Sequence, residues 1–246
     1  MIFLARFQAI DDKDKAAVVR KLMQSSTPDF SFFYITALAV LMATFGLLLD
    51  NAAIVIGSML IAPVLYPILG IALGLVMSNP NIIGRSFVTL VKSFALAVGL
   101  SALATVFFAE GSVLTTEVLL RTEAGLLHFT VAAVAGAAVA YILGRSEWSE
   151  TLPGIAISVA LLPPLATIGI GLAALDLDVI TGATVLLLVN LSGIVFAAMV
   201  TFSMMNLYEK QKIAESTIKE ADKKVEEEEE EVEYISEHSK PPTDKK

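Results

Sequence analysis

Two short stretches hold the residue types on which solute chemistry inside a bilayer depends: Ser58–Gly70, SMLIAPVLYPILG, and Ser158–Gly171, SVALLPPLATIGIG. Pro63 and Pro67 lie in the first and Pro163 and Pro164 in the second, each pair in the middle of a long apolar run. Proline lacks an amide donor and clashes with the carbonyl one turn back, so both runs are expected to break near their centres. At membrane depth, backbone groups freed in this way are tolerated only against protein or in a water-lined cavity. Ser58 to Pro63 and Ser158 to Pro163 have the same spacing, and the two copies stand 100 positions apart. Two broken spans at corresponding places in two halves of a chain point to a transporter-like site.

Few other polar residues fall within the apolar runs. Lys92 either snorkels to the nearer membrane surface or faces the bundle as a counter-charge for an anion. Asn190 and Ser192 sit near the middle of the last run, where Asn190 either bonds helices together or touches a solute. Val91-Lys92 and Val189-Asn190 read as equivalent positions of a repeat. Ser58 and Ser158 can also bond back to carbonyls of their own helices. The runs contain no Asp or Glu, which argues against a proton pump built on an acidic relay. There is no HExxH, GxSxG or phosphate loop, and the two histidines are far apart in the sequence. No enzyme activity, metal or cofactor is expected.

The elements that must position these residues are set by composition. Of 246 residues 56% are hydrophobic, and the mean hydropathy is +0.74. Soluble domains run to about 45–50% apolar residues, so this chain reads as an integral membrane protein. The net charge of −8 is dominated by the run Glu226–Glu231 and says nothing of a nucleic-acid partner. With no cysteine, disulfides and thiolate chemistry are excluded.

Six apolar runs lie at about Phe30–Leu49, Ala52–Met77, Ser86–Phe108, Leu126–Leu143, Gly154–Leu175 and Val179–Met205. Crossing the hydrocarbon takes about 20 residues. The chain divides into an amphipathic lead-in (1–26), a first three-span repeat (27–109), an outer connecting loop (110–125), a second three-span repeat (126–206) and an acidic tail (207–246). Ala16, Val19, Leu22 and Met23 give the lead-in one apolar face, suited to the membrane surface. Thr27-Pro28-Asp29 reads as a helix start, with Thr27 as the cap. Asp50-Asn51 and Ser78-Asn79-Pro80-Asn81 read as tight turns, and Val118 and Leu119 as part of a short helix in the connecting loop. The tail starts as a helix with a weak heptad seam through Ile218, Ala221 and Val225 and frays into disorder. If both termini are cytoplasmic, 15 of the 17 Lys and Arg residues lie inside, which favours that orientation in the cell membrane.

An odd number of spans per half turns the second half upside down, giving a 3+3 inverted repeat. At 1.5 Å per residue, Pro63 lies roughly 16 Å and Pro163 roughly 14 Å from opposite ends of their runs, so both reach the midplane. The expected fold is therefore all-α and polytopic, with six transmembrane helices and two proline-broken spans. VAAVAGAAVA (131–140) and Gly70–Gly74 fit small-residue helix packing.

Through SMLIAPVLYPILG and PGIAISVALLPPLATIGIGLAAL the chain resembles the membrane family of domain of unknown function 389, over about Phe30 to Tyr208. The resemblance implies a polytopic prokaryotic membrane protein and carries no substrate. The function expected from the residues is a transporter or channel-like protein for a small polar or anionic solute. That solute is expected between the two broken spans, held by half-helix ends, Asn190, Ser192 and Lys92, in a protein that forms homo-oligomers. The alternative is a membrane scaffold or sensor whose acidic tail recruits a partner.

Overall fold

A computed structural model of the chain describes residues 12–25, 29–143 and 151–220, with Lys223 and Glu227; over 151–160 it describes the backbone alone. The helices are α1 (Asp12–Ser25), α2 (Phe30–Leu48), α3 (Ala52–Met59), α4 (Leu65–Val76), α5 (Pro80–Phe108), α6 (Thr116–Leu119), α7 (Leu126–Leu143), α8 (Thr151–Ala174) and α9 (Leu177–Met204). A 3₁₀ turn at Leu207–Lys210 leads into a further helical stretch over residues 211–220. No strand occurs among the described residues. Among the described residues, four helices are long and apolar enough to cross a membrane: α2, α5, α7 and α9. Their outer faces carry large apolar side chains such as Phe107, Phe108, Val134 and Phe196, all more than half exposed. Continuous apolar surface on this scale is a lipid-facing feature rather than a soluble one.

The same turn joins three pairs of helices, written in the sequence as GLLLDNAAIV (46–55), GLVMSNPNII (74–83) and GLAALDLDVI (171–180). In each, the sixth residue donates its amide to the glycine carbonyl: Asn51 to Gly46 and Asn79 to Gly74 at 2.9 Å, Asp176 to Gly171 at 3.0 Å. The fifth residue takes the left-handed conformation, with φ of 51° at Asp50 and Ser78 and 56° at Leu175. This is the Schellman closure of a helix. The sixth residue then caps the next helix, each side chain accepting from the amides two and three residues on. Glycine is required because its Cβ would lie 2.8 Å from Val55 N at Gly46, 2.8 Å from Ile83 Cγ1 at Gly74 and 3.0 Å from Ile180 Cγ1 at Gly171.

Helix α8 is the hub. It packs against α5 and α9 most extensively, and against α7, α2 and α3 as well, and every residue from Leu161 to Gly171 is buried. Close approach depends on glycine and serine. A Cβ on Gly169 would come within 2.5 Å of Ser101 Cβ on α5, and the Ser101 hydroxyl donates to the Ala166 carbonyl at 2.7 Å. On the other side Gly136 of α7 faces the Ile194 backbone, and Gly193 of α9 the Phe129 carbonyl. The small residues of VAAVAGAAVA thus serve the α7–α9 crossing.

The connecting loop closes one end of the bundle. Thr115 donates its hydroxyl to the Leu47 carbonyl at 2.7 Å, and Asp50 accepts the Glu117 amide at 2.7 Å, tying α6 to the α2–α3 turn. Thr122 meets Gly182 of α9 so closely that no side chain fits between them. At the other end, Val18, Val19, Leu22 and Met23 of α1 are buried, and the helix packs on α4 and the 3₁₀ turn. Asn79 donates to Glu215 at 3.1 Å, and Lys15 lies 3.9 Å from Glu209.

Several expectations need correction. The break at Pro163 and Pro164 is absent, because α8 runs unbroken from Thr151 to Ala174 with both prolines inside it. Adjacent prolines free two neighbouring carbonyls on a single turn, and the residues that follow, Leu161 to Gly171, are all buried in the bundle, the setting in which a membrane helix tolerates proline. The first run, in contrast, is interrupted at Pro63 as expected: α3 ends at Met59, Leu60–Val64 is non-helical, and α4 starts at Leu65. In a continuous helix Pro67 would clash with the carbonyl of Pro63, one turn back, on top of the defect Pro63 already makes. Instead Pro67 stands in the first turn of α4, where its missing amide would be unpaired anyway. The cap of α2 is Asp29, which accepts from the Phe32 amide at 2.7 Å, and the Thr27-Pro28 start lies outside the described residues. So do Ala221, Val225 and the glutamate run of the tail.

Candidate functional site

A hollow lies beside the proline pair of α8. A cavity of about 410 Å³ is lined by Pro163 and Pro164 of α8, Leu186 and Asn190 of α9, Leu127, His128, Val131 and Ala132 of α7, and Leu120 and Arg121 of the connecting loop. Ligand pockets typically span about 300–1,000 Å³. A proline ring cannot fill the helical groove as an ordinary side chain does, and two in succession flatten the surface that α7 and α9 face. The lining is mostly apolar, with Asn190 buried at 5% exposure on the α9 wall and Arg121 half-buried on the loop wall. No Asp or Glu is among its lining residues.

Of the residues singled out from the sequence, Pro163, Pro164 and Asn190 come together at this cavity. The others do not line it. Ser58 is buried in α3 and donates to its own Val55 carbonyl at 2.6 Å. Pro63 sits in the Leu60–Val64 segment and Pro67 is buried at the start of α4. Lys92 is exposed on α5, and Ser192 is exposed on α9, donating to the Val189 carbonyl at 2.8 Å. Ser158 falls where the backbone alone is described. With α8 continuous, a site between two facing breaks is not what the chain builds.

Arg121 and His128 are the residues that sequence reasoning passed over. Arg121 had a signal: it is the sole Lys or Arg between Lys92 and Arg145. It counted only as one charge on the outer side. Its position at a cavity depends on the loop's attachment to the α2–α3 turn and to Gly182, a tertiary fact. His128 is the third residue of α7, within its first turn, and lines the same hollow.

The guanidinium is held by Glu117. Nη1 donates to the Glu117 carbonyl at 2.9 Å and lies in contact with its carboxylate. That carboxylate's Oε2 is shut from solvent and makes no hydrogen bond of good geometry, so the contact is one of charge.

An all-helical bundle with an apolar surface, glycine-mediated crossings and a hollow beside its central helix defines a membrane-embedded protein. Within that class the chain belongs to the family described as Domain of unknown function (DUF389), whose pattern matches residues 59–196. The match takes in every residue lining the cavity. An uncharacterized protein of Methanocaldococcus jannaschii is 29% identical over 166 residues, covering 68% of this chain and 51% of that protein. The aligned part therefore spans about half the length of that relative. No solved structure matches the chain.

Proposed function

We propose that this protein moves a small polar or anionic solute across a cell membrane, as a transporter or channel-like protein, and binds it in the cavity beside Pro163, Pro164 and Asn190. The observation that carries this reading is the cavity itself: a hollow of about 410 Å³ against the middle of the hub helix, apolar except for Asn190, Arg121 and His128. The hollow is open to the outside of the bundle, with Leu120, Leu127 and Val131 on its rim more than half exposed, so a solute has a path to Asn190 and Arg121.

In this reading α3 and α4 together make one crossing, so that α2, α3–α4, α5, α7, α8 and α9 cross six times with both termini cytoplasmic. The halves form an inverted repeat. Two observations support it. The turns after Gly74 and Gly171 are alike in sequence and hydrogen bonding and stand 97 positions apart. The packing of α4 on α9 is mirrored by that of α8 on α5, the pairing a two-fold axis between the halves demands.

The test is thermal stabilisation of the purified protein across a panel of small ions and metabolites, followed by flux of each hit into liposomes. A hit that moves and is lost in Asn190→Ala supports the reading. An absence of any hit together with an absence of flux would overturn it.

A further inference from the structure

We infer that the cavity takes a carboxylate carried on an apolar body, its head seated on the unspent edge of the Arg121 guanidinium. The inference rests on the reading of this hollow as a solute site. Among the described residues, the partners of Arg121 both belong to Glu117 and both engage Nη1. A guanidinium presents five N–H donors in a planar fork, so the Nε–Nη2 edge is uncommitted within the protein. That edge is the one that accepts two parallel hydrogen bonds from a carboxylate, the geometry for which arginine is suited and lysine is not.

Glu117 acts as a positioning residue. Its carboxylate and carbonyl fix Nη1, while the Asp50 carboxylate accepts its own amide at 2.7 Å and anchors the α6 turn. The fork is thus held in one orientation before any ligand arrives, which reduces the ordering cost of binding. The remaining lining decides the rest of the ligand. Leu120, Leu127, Val131 and Leu186 offer apolar walls, and no carboxylate lines the space to favour a cation. A neutral hydrophobe would leave the guanidinium edge unpaired, and a fully polar anion such as phosphate would meet apolar walls over most of its surface. A carboxylate with an apolar body satisfies both. It can arrive as a short acid from water or as a longer acid from the bilayer.

The experiment is titration of the purified full chain with butyrate, hexanoate, hexanamide and, in phosphatidylcholine vesicles, dodecanoate, read as a shift in melting temperature and as a Kd. Hexanoate is expected to bind at least tenfold more tightly than hexanamide. Arg121→Lys, which keeps the charge but not the fork, is expected to weaken hexanoate about tenfold or more while leaving hexanamide unchanged. Arg20→Gln, on the exposed face of α1, serves as the control. Tight binding of butyrate and hexanoate identifies the water-borne source, and tight binding of dodecanoate alone the bilayer source; either supports the inference. Equal binding of hexanoate and hexanamide, or an Arg121→Lys variant that binds hexanoate like the parent, overturns the carboxylate and leaves the solute cavity standing. So does failure of all four acids and amides beside a neutral hit from the wider panel that Asn190→Ala abolishes. If no compound of either set binds and none crosses, both readings fall.

Discussion

Replacing Gly136 by alanine is the sharpest probe of how α7 and α9 meet. A Cβ at this position would lie 2.8 Å from both the Cα and the carbonyl oxygen of Ile194, and 3.2 Å from its carbonyl carbon. All three are backbone atoms, so no rotamer change relieves the clash. The helices must separate by roughly half an ångström or more to restore ordinary contact, and forced overpacking of this kind costs about 1–3 kcal/mol. For a chain of this length that corresponds to a fall of roughly 2–12 °C in melting temperature. Gly99 and Gly84 on α5 supply the comparison, because nothing lies within 4 Å of a Cβ built on either. At those positions alanine is expected to be neutral or to add up to about 1 kcal/mol through helix propensity. The assay is thermal unfolding in mild detergent followed by circular dichroism, with the three variants measured side by side. A Gly136→Ala protein that melts with Gly99→Ala or above it would mean that α7 and α9 do not touch backbone to backbone, and the account of the crossing would fail.

Three further outcomes are expected. Leu175 is 87% exposed and held at φ 56°, so it contributes strain without packing; Leu175→Gly is expected to raise stability by up to about 1 kcal/mol, and a drop in melting temperature would count against the turn geometry. Ser101→Ala removes the buried bond to the Ala166 carbonyl and is expected to lower stability by about 0.5–1.5 kcal/mol, with no loss meaning that α5 and α8 are not joined there. Asn79→Ala removes a helix cap and the contact with Glu215 together, for about 1 kcal/mol or more. A double-mutant cycle with Glu215→Ala should then return a coupling of about 0.5 kcal/mol, and strict additivity would show that residues 211–220 do not dock on that turn.

Long apolar runs were readable because lipid imposes helix on any segment of that length, and α7 begins at Leu126, where its apolar run begins. The start of α5 was placed too late, at Ser86 rather than Pro80, because Ser78-Asn79-Pro80 was read as a turn when Asn79 is the cap and Pro80 the first helical residue. The recurrent turn was present in the sequence as Gly-Leu followed by Asn or Asp four residues after the leucine and two branched residues beyond. Two copies read as tight turns, at Asp50-Asn51 and Ser78-Asn79, but their kinship with the third is hidden because the left-handed position carries Asp, Ser and Leu rather than the glycine that usually marks it. The cavity could not be read at all. Arg121 lies far in sequence from Asn190, and only the pinning of the loop at Asp50 and Gly182 brings the two to one hollow.

Register explains why two similar proline stretches behave differently. Ser58 and Ser158 stand 100 positions apart, whereas Gly74 and Gly171 stand 97 apart, so the first stretch carries three more residues between serine and glycine. With Pro63 matched to Pro163 and Pro67 to Pro164, the surplus is residues 64–66, at the junction where α4 begins. The second stretch has no residues to spare for such a segment, and its helix continues. The same register revises the pairing of polar residues across the proposed repeat. Counted from the turns, Asn190 corresponds to Ser93 and Lys92 to Val189, one place away from the pairing that the like dipeptides suggest. Burial agrees with the turns: Ser93 and Asn190 both point into the bundle, while Lys92 is exposed. Ser93 spends its hydroxyl on the Thr89 carbonyl at 2.8 Å, and its longer counterpart Asn190 reaches the cavity. Under the proposed repeat, Ser93 and Asn190 are equivalent buried polar positions, only Asn190 lines a hollow, and the cation that meets it comes from the connecting loop.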